Sequence, residues 1–568
     1  MKTEVPFITF SGDRLTIDQL VQVARYRAPV ALSDSPQLRK RVEASRAALD
    51  RVLGEGEIIY GVNTGYGGNV KFLIPPSQVN HHQKNLLQDL SCGTGPALSQ
   101  EVVRGSMLLR ANALCKGYSA ARLLVIERLA DLLNAGIVPI VPRYGSVGAS
   151  GDLLPSAYIA KTLLGLGKVS YGGRTMEASE ALRQASIAPI ELQAKEGLAL
   201  VNGTSVMTSL AALNIHDAEY LAAMTVAVVA LTVESLHRVM DPFDPIVQMV
   251  KNHPGQKAVA WALQRLTEGS TFVKDLESIR AVLKSETGRA ESTIEAEVAI
   301  QDPYSLRCTP QGLGPVFESL EFARTVTERE MNSANDNPLV DPDSGSVHHT
   351  GNFYGGYIAR VMDGLKLDIC VLANWLNSLM ALLVDPRFSS GLPANLSPDP
   401  GLNSGFKGMQ MSLCSLVCAL RQMSGPSLIH TLPTEQYNQD VVSLGLHSAS
   451  TATDMIPLLR NAISIVLLAD CQGIDLRRTN GGHHRRMGSG TAPIYHAIRQ
   501  RVAFLDGDRP MDEDIARVTD LIWKRAFETP LLETAQPSFS RLGDEGHDQS
   551  GGLQGLAARD RRVKEHQV

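Results

Sequence analysis

The chain has 568 residues, 44% hydrophobic and 20% charged, the balance of a globular protein with a sizeable core. A formal net charge of -5 offers no basic field to nucleic acid, and Met1 to Phe10 lacks the basic-then-apolar pattern of a secretory leader. The best apolar run, Ala222 to Leu236, is interrupted by Glu234 and too short to cross a bilayer, while seven scattered cysteines without framework spacing point to reduced thiols in the cytoplasm.

In chain order, Thr16-Ile17-Asp18-Gln19 has the form of a capping box, and Leu20, Val23 and Ala24 follow at helical spacing. Ser119 is placed to cap a helix through Leu123, Ile126, Leu129, Leu132 and Leu133, which Gly136 ends, with Pro139 and Pro142 beyond. Long apolar-periodic stretches then run over Leu210 to Met240, Pro315 to Asn332, Tyr354 to Leu383, Gly408 to Met423 and Ser448 to Gly473. Alternating strand patterns are short and rare, and no solenoid repeat is present. The fold class expected is therefore mainly α. Cys414 and Cys418, four apart on a predicted helix, have no His or Cys pair nearby to complete a metal site and read as core packing. No metal is expected. Glycine gathers at Gly61 to Gly68, Gly145 to Gly151 and Gly351 to Gly356, where backbone must approach something closely. Residues 540–568 are poor in apolar side chains and read as a disordered tail.

The middle glycine cluster contains Ala149-Ser150-Gly151. The Gly151 nitrogen, unshielded by any Cβ, can attack the Ala149 carbonyl carbon and close a five-membered ring. Loss of two waters, one from the ring and one using the Ser150 hydroxyl, leaves 4-methylidene-imidazol-5-one, an electrophile. Such a closure needs a loop that presses the two atoms together. Ala-Ser-Gly alone is a common small-residue turn; the longer string Gly145-Ser146-Val147-Gly148-Ala149-Ser150-Gly151-Asp152-Leu153 is much more specific.

Through that string the sequence resembles the histidine, phenylalanine and tyrosine ammonia-lyases and the related 2,3-aminomutases. The resemblance runs from about Ile58 to Leu532. Tyr60-Gly61-Val62-Asn63-Thr64-Gly65-Tyr66-Gly67 looks like the family's mobile loop with its catalytic tyrosine, and Leu200-Val201-Asn202-Gly203-Thr204 like the strip lining the prosthetic ring. Tyr304 to Gln311, Asn332 to Pro338, Gly351-Asn352-Phe353 and Glu435 to Asp440 match further motifs in order. The resemblance implies the ammonia-lyase (fumarase/aspartase-like) fold. An N-terminal domain over 1–207 would carry the ring-forming loop, and a long central helical bundle would fill 208–539.

The same resemblance implies roles. The methylidene derived from Ser150 would take up the substrate amine, making it a good leaving group. Tyr60 would remove the β-proton; an ordinary tyrosine has pKa about 10, so it needs donors or positive charge nearby. Arg307 would bind the substrate carboxylate as a two-pronged fork, assisted by Asn335. Asn202, Tyr304 and Gln311 would hold the ring carbonyl and the amine, Phe353 would pack against the ring, and Lys407 and Glu435 would pair near the amino group. Gly67 would border the substrate. No external cofactor is implied. The family's sites draw on three subunits, so a homotetramer is expected, acting on a small aromatic amino acid, with no nucleic-acid or membrane partner.

Two positions argue against histidine as substrate. Histidine-specific relatives carry glutamate where Gln439 stands and a Ser-His pair where Asp89-Leu90 stands. The stretch His82 to Ser91 looks most like bacterial phenylalanine ammonia-lyases, but those place phenylalanine at Asp89. A carboxylate buried against an unsubstituted phenyl ring would lack a partner at a cost of several kcal/mol. The expected ring therefore bears a donor near the para position, as in tyrosine or 4-aminophenylalanine; phenylalanine remains open if Asp89 faces solvent. A 2,3-aminomutase shares every residue named, and a helical scaffold with a decayed site would lack the ring altogether.

Overall fold

The computed structural model describes residues 7–527 apart from Ala290, Glu297 and His483; the expected tail at 540–568 lies outside the described residues. The capping box forms as read: Thr16 caps the helix Ile17–Ala24, and Gln19 reaches back to the Thr16 amide at 3.0 Å. The helix Leu123–Ala135 also ends as expected, on Gly136 in the left-handed conformation at φ 73°. Its N-cap, however, is Arg122 without a side-chain cap, and Ser119 is buried with its hydroxyl donated to Asp336 at 3.2 Å. The N-cap position falls three residues past Ser119, so that hydroxyl is not placed to cap the helix.

Each long periodic stretch is a helix: Ser205–Ser235, Thr309–Met331, Gly356–Val384, Lys407–Met423 and Gly445–Arg477. The architecture is mostly helical, and the strands form small two- and three-stranded sheets among the described residues. Three helices correct the expectation about apolar length. Ser205–Ser235, Gly356–Val384 and Gly445–Arg477 are long and apolar enough to cross a membrane. Their apolar windows are 94%, 56% and 67% buried within the protein itself, which accounts for the hydrophobicity of the first by core packing alone. Cys414 and Cys418 also depart from expectation, since both are exposed on the helix Lys407–Met423; among the described residues no cysteine is in a disulfide and no metal-holding group occurs.

The chain forms two compact units. Within the described residues the first takes 7–222, 319–374 and 411–462, and the second 223–318, 375–410 and 463–527. The helix Ser205–Ser235 runs unbroken through 207/208, the division expected from sequence. In the first unit the helix Gln100–Cys115 packs on Ile17–Ala24 and Leu123–Ala135. Every residue from Val102 to Cys115 is buried, Arg104 and Arg110 included. Ile59 and Val62, which flank Tyr60, are 1% and 0% exposed and join a cluster with Leu49, Val79, Ala194 and Val340. Two buried apolar anchors thus fix where the Tyr60 loop leaves the core. In the second unit Gly255 and Gly314 meet so closely that a Cβ on Gly255 would lie 2.2 Å from the Gly314 carbonyl oxygen. There the Trp375 indole donates to the Ser305 carbonyl at 2.9 Å and fixes the turn holding Tyr304 and Arg307.

Candidate active site

Ala149-Ser150-Gly151 lies between the strand Pro142–Tyr144 and the helix Leu153–Leu163. Its backbone is bent as ring closure requires: Ser150 sits at φ 52° and Gly151 at φ 77°, a left-handed pair in which the serine is strained. Neighbours hold the bend from several sides. The Asp152 amide donates to the Gly203 carbonyl at 2.7 Å, and the Asn202 side-chain amide donates to the Ser150 carbonyl at 3.1 Å. Gln439 donates to the Ser150 hydroxyl at 3.1 Å, and the Ser146 hydroxyl donates to the Gly151 carbonyl at 3.2 Å. A Cβ on Gly151 would stand 2.2 Å from the Gly203 carbonyl oxygen, so only glycine fits there. Asp152 is fully buried and accepts from the Met207 amide at 2.7 Å; burial lifts its carboxyl to about 7.

These residues fit the imidazolone ring. The nucleophilic nitrogen belongs to an unshielded glycine, and the serine carbonyl that becomes the ring carbonyl already has a donor. The side-chain oxygens of Asn202 and Asn335 are buried and have no partner among the described residues. Unmet acceptors around a bent Ala-Ser-Gly are groups placed for a ligand rather than for the fold.

A cavity of about 630 Å³ opens beside Ser150, lined among others by Tyr60, Leu73, His349, Phe353 and Gln439. The Tyr60 hydroxyl accepts the Gly67 amide at 2.9 Å, and the Tyr60 amide donates to the His349 ring at 3.1 Å. Burial raises the Tyr60 pKa, the Gly67 amide lowers it, and the nearby Glu435 charge raises it again; the net direction is upward. The expected depression of this pKa is absent from the single chain, because burial outweighs the Gly67 donor and the neighbouring charge is negative. Gly67, at φ 53°, leaves room for Glu435: a Cβ there would fall 1.6 Å from the carboxylate. Glu435, Gln436 and Tyr437 are consecutively left-handed at φ 46°, 55° and 63°, and the Glu435 carboxylate accepts a hydrogen bond from Gln439, which lines the cavity. Thr434 fixes Gln439 by donating to its side-chain oxygen at 3.1 Å.

Asp89 ends the helix Val79–Asp89 and is exposed, while Leu90 beneath it is 7% exposed. The burial argument for Asp89 therefore does not hold in this chain. Its charge does reach Glu435: burial and then Asp89 raise the Glu435 pKa, opposed by a hydrogen bond from Gln439. Tyr304, Arg307, Gln311 and Lys407 belong to the second unit and are not among the residues lining the cavity. Tyr304 is 70% exposed and stacks under Arg307 at 4.5 Å. The Arg307 Nε and the Gln311 side-chain oxygen are buried without partners among the described residues. Lys407 is exposed at the start of its helix, with no ion pair among the described residues.

Sequence reasoning missed three supports. His349 holds the Tyr60 amide, as above. Gln83, fully buried, donates to the Gly61 carbonyl at 2.9 Å and the Tyr66 hydroxyl at 3.0 Å, bracing the same loop. Arg110 donates to the Asn202 carbonyl at 2.7 Å. A signal existed for Arg110 alone: a charged residue in the apolar run Met107 to Leu114.

A mostly helical protein with a bent Ala-Ser-Gly loop, a tyrosine lining the cavity beside it and Asn202 donating to its serine carbonyl has the features that the resemblance to ammonia-lyases and aminomutases implies. The comparisons agree. The family model described as aromatic amino acid lyase matches residues 15–500, and the chain belongs to that family. It is 42% identical over 508 residues to a hal-like protein of Dictyostelium discoideum, covering 89% of this chain and 94% of that one. It is 37% identical to the histidine ammonia-lyase of Caldanaerobacter subterraneus subsp. tengcongensis, over 93% of this chain and 98% of that one. The crystal structure of tyrosine aminomutase from Streptomyces globisporus superposes with a TM-score of 0.88 at 33% identity, covering 93% of this chain and 99% of that one. Members of the family form the methylidene-imidazolone autocatalytically from Ala-Ser-Gly and need no external cofactor.

Proposed function

We propose that the chain eliminates ammonia, without oxidation, from an aromatic L-α-amino acid to give the trans-arylacrylate. The ring bears a polar donor near its para position, as in tyrosine or 4-aminophenylalanine, with phenylalanine as the unsubstituted alternative. The observation that carries this reading is that exposed Asp89 lies within electrostatic reach of half-buried Glu435, so that the first charge disfavours the second. A hydrogen-bond donor between two carboxylates relieves that repulsion, and a bare phenyl ring does not. Gln439 supports the exclusion of histidine, because its amide is engaged by Ser150 and Thr434 and offers the imidazole no charge.

When formed, the imidazolone supplies the electrophile that activates the amine. Tyr60, as phenolate, takes the β-proton; Arg307 and Asn335 bind the carboxylate; Asn202 and Gln439 orient the groups at residue 150. Closure of the Tyr60 loop excludes water while the proton moves. The active form is a homotetramer in which Tyr304, Arg307, Gln311 and Lys407 complete the site of a neighbour. The unpartnered Arg307 and Gln311 atoms and the 70% exposed Tyr304 support this. Seven cysteines, none in a disulfide among the described residues, support a cytoplasmic setting.

The test is a panel of phenylalanine, tyrosine, 4-aminophenylalanine and histidine on the wild type and on Asp89→Phe. The ratio of kcat/KM for tyrosine over phenylalanine is expected to fall at least about tenfold in the variant. An unchanged ratio rejects the role of Asp89, and turnover of histidine alone rejects the substrate class. A second reading, a 2,3-aminomutase, is supported by the similarity to the Streptomyces globisporus enzyme. A β-amino acid among the products would establish it in place of the lyase.

A further inference from the structure

Arg110 occupies the middle of the helix Gln100–Cys115 and is 3% exposed. Of its five N–H donors, one on Nη1 reaches the Asn202 carbonyl at 2.7 Å; Nε and Nη2 have no partner among the described residues. Asp336 is the carboxylate whose charge favours the guanidinium, and that carboxylate is already held by Lys195 at 2.6 Å, both side chains being fully buried. A guanidinium so placed is destabilising relative to an apolar side chain of its size. Packing therefore does not explain it.

Its contacts run to one place. A Cβ on Gly203 would lie 2.2 Å from Arg110 Nη1 and 2.6 Å from the unpartnered Asn335 side-chain oxygen, so both crowd the Gly203 Cα. The Asn202 carbonyl held by Arg110 belongs to the Asn202–Gly203 peptide. From the two ends of that peptide the Asn202 side chain reaches the Ser150 carbonyl at 3.1 Å, and the Gly203 carbonyl takes the Asp152 amide at 2.7 Å. Gly151 and Gly203 bridge in parallel fashion, with the Gly203 oxygen against the Gly151 Cα. The strip is thus a jaw, and Arg110 is the group that fixes it from behind.

The geometry points to Arg110 as the positioning residue of ring formation, clamping the Asn202–Gly203 peptide so that Gly151 is held against Ala149. In the step served, a bond forms between the Gly151 nitrogen and the Ala149 carbonyl carbon. The Ala149 oxygen leaves as water with the amide protons of Gly151 and Ser150, placing a double bond between that carbon and the Ser150 nitrogen. The Ser150 hydroxyl then leaves as a second water with the Cα proton, giving the methylidene. No oxidant or co-reactant is needed. Positioning errors of about 1 Å slow such closures on the order of 10²-fold.

The experiment follows the intact mass of the full chain at intervals after cell-free synthesis, for the wild type, Arg110→Lys, Arg110→Gln and Arg110→Met, with a digest to place the loss within 149–151. The wild type is expected to become lighter by two waters. Arg110→Met and Arg110→Gln are expected to accumulate at the uncyclised mass with wild-type helical circular dichroism, and Arg110→Lys to convert at an intermediate rate. A folded Met or Gln variant that loses both waters at the wild-type rate overturns the proposal. Should neither fold, Arg110→Lys decides: conversion at the wild-type rate overturns it, and slowed conversion in a folded chain supports it. A wild type that never loses water would instead remove the imidazolone itself, an outcome distinct from failure of the clamp.

Discussion

The Tyr60 hydroxyl is set by burial, by the Gly67 amide and by Glu435, and burial with the carboxylate prevails, so its pKa lies above the usual tyrosine range. As base it must be deprotonated; kcat/KM is therefore low at neutral pH and climbs as pH rises toward the raised pKa. Glu435→Gln removes a negative charge and so lowers the Tyr60 pKa. The ascending limb of the pH profile should move to lower pH in that variant, and a limb that stays in place would show that Glu435 does not act on Tyr60. At the same scale, Lys195 and Asp336 form a fully buried pair at 2.6 Å, to which Ser119 adds its hydroxyl. Asp336→Ala leaves the ammonium uncompensated and should destabilise the chain by about 3–5 kcal/mol, read from the shift in denaturation midpoint. The residue types at the chemistry were legible because the reaction demands them: an unshielded glycine nitrogen, a serine to dehydrate, a forked cation for a carboxylate. Gln83 and His349 were not, and Arg110 was marked only as a charge in an apolar run, since each acts through a backbone group and only proximity reveals which one.

Among the elements, the left-handed turn Glu435–Gln436–Tyr437 carries the most backbone strain, three non-glycine residues at positive φ in succession. Each costs about 1–2 kcal/mol relative to glycine. Gln436→Gly should raise stability by about 1 kcal/mol, seen as a higher Tm, while loosening the placement of Glu435 and Gln439. A lower Tm would mean that Gln436 contributes more through its contact with Gly68 than its backbone loses. Helices were the legible elements. The capping box at Thr16 and the Gly136 stop are local devices, complete within a few residues. Ser119 failed as a cap because the N-cap position falls three residues later, at Arg122, while its hydroxyl goes to Asp336, 217 residues away. Cys414 and Cys418 failed as core because periodicity gives a helix its faces without saying which face is covered.

For the whole molecule, the residues implied for one site are divided between the two units, Tyr60 and Ser150 in the first and Tyr304 and Arg307 in the second. If subunits share sites, chains carrying Tyr60→Phe and Arg307→Ala are each inactive alone, and co-expressed mixtures recover part of the wild-type activity. Absence of recovery, or full turnover by a monomer of 61.3 kDa in light scattering, would place a complete site within one chain.

By itself the sequence determined the helical class, the ends of several helices and the identity of the ring-forming tripeptide, because periodicity, caps and a reactive triplet are written in neighbouring residues. Tertiary structure alone decided that the Ser205–Ser235 helix is apolar through burial in protein. It also decided that Asp89 is exposed yet within electrostatic reach of Glu435, and that a buried arginine stands behind the strip pressing on Gly151. Those three facts depend on distances between segments far apart in the chain, and a charge or an apolar side chain acquires its energy only from what the fold brings beside it.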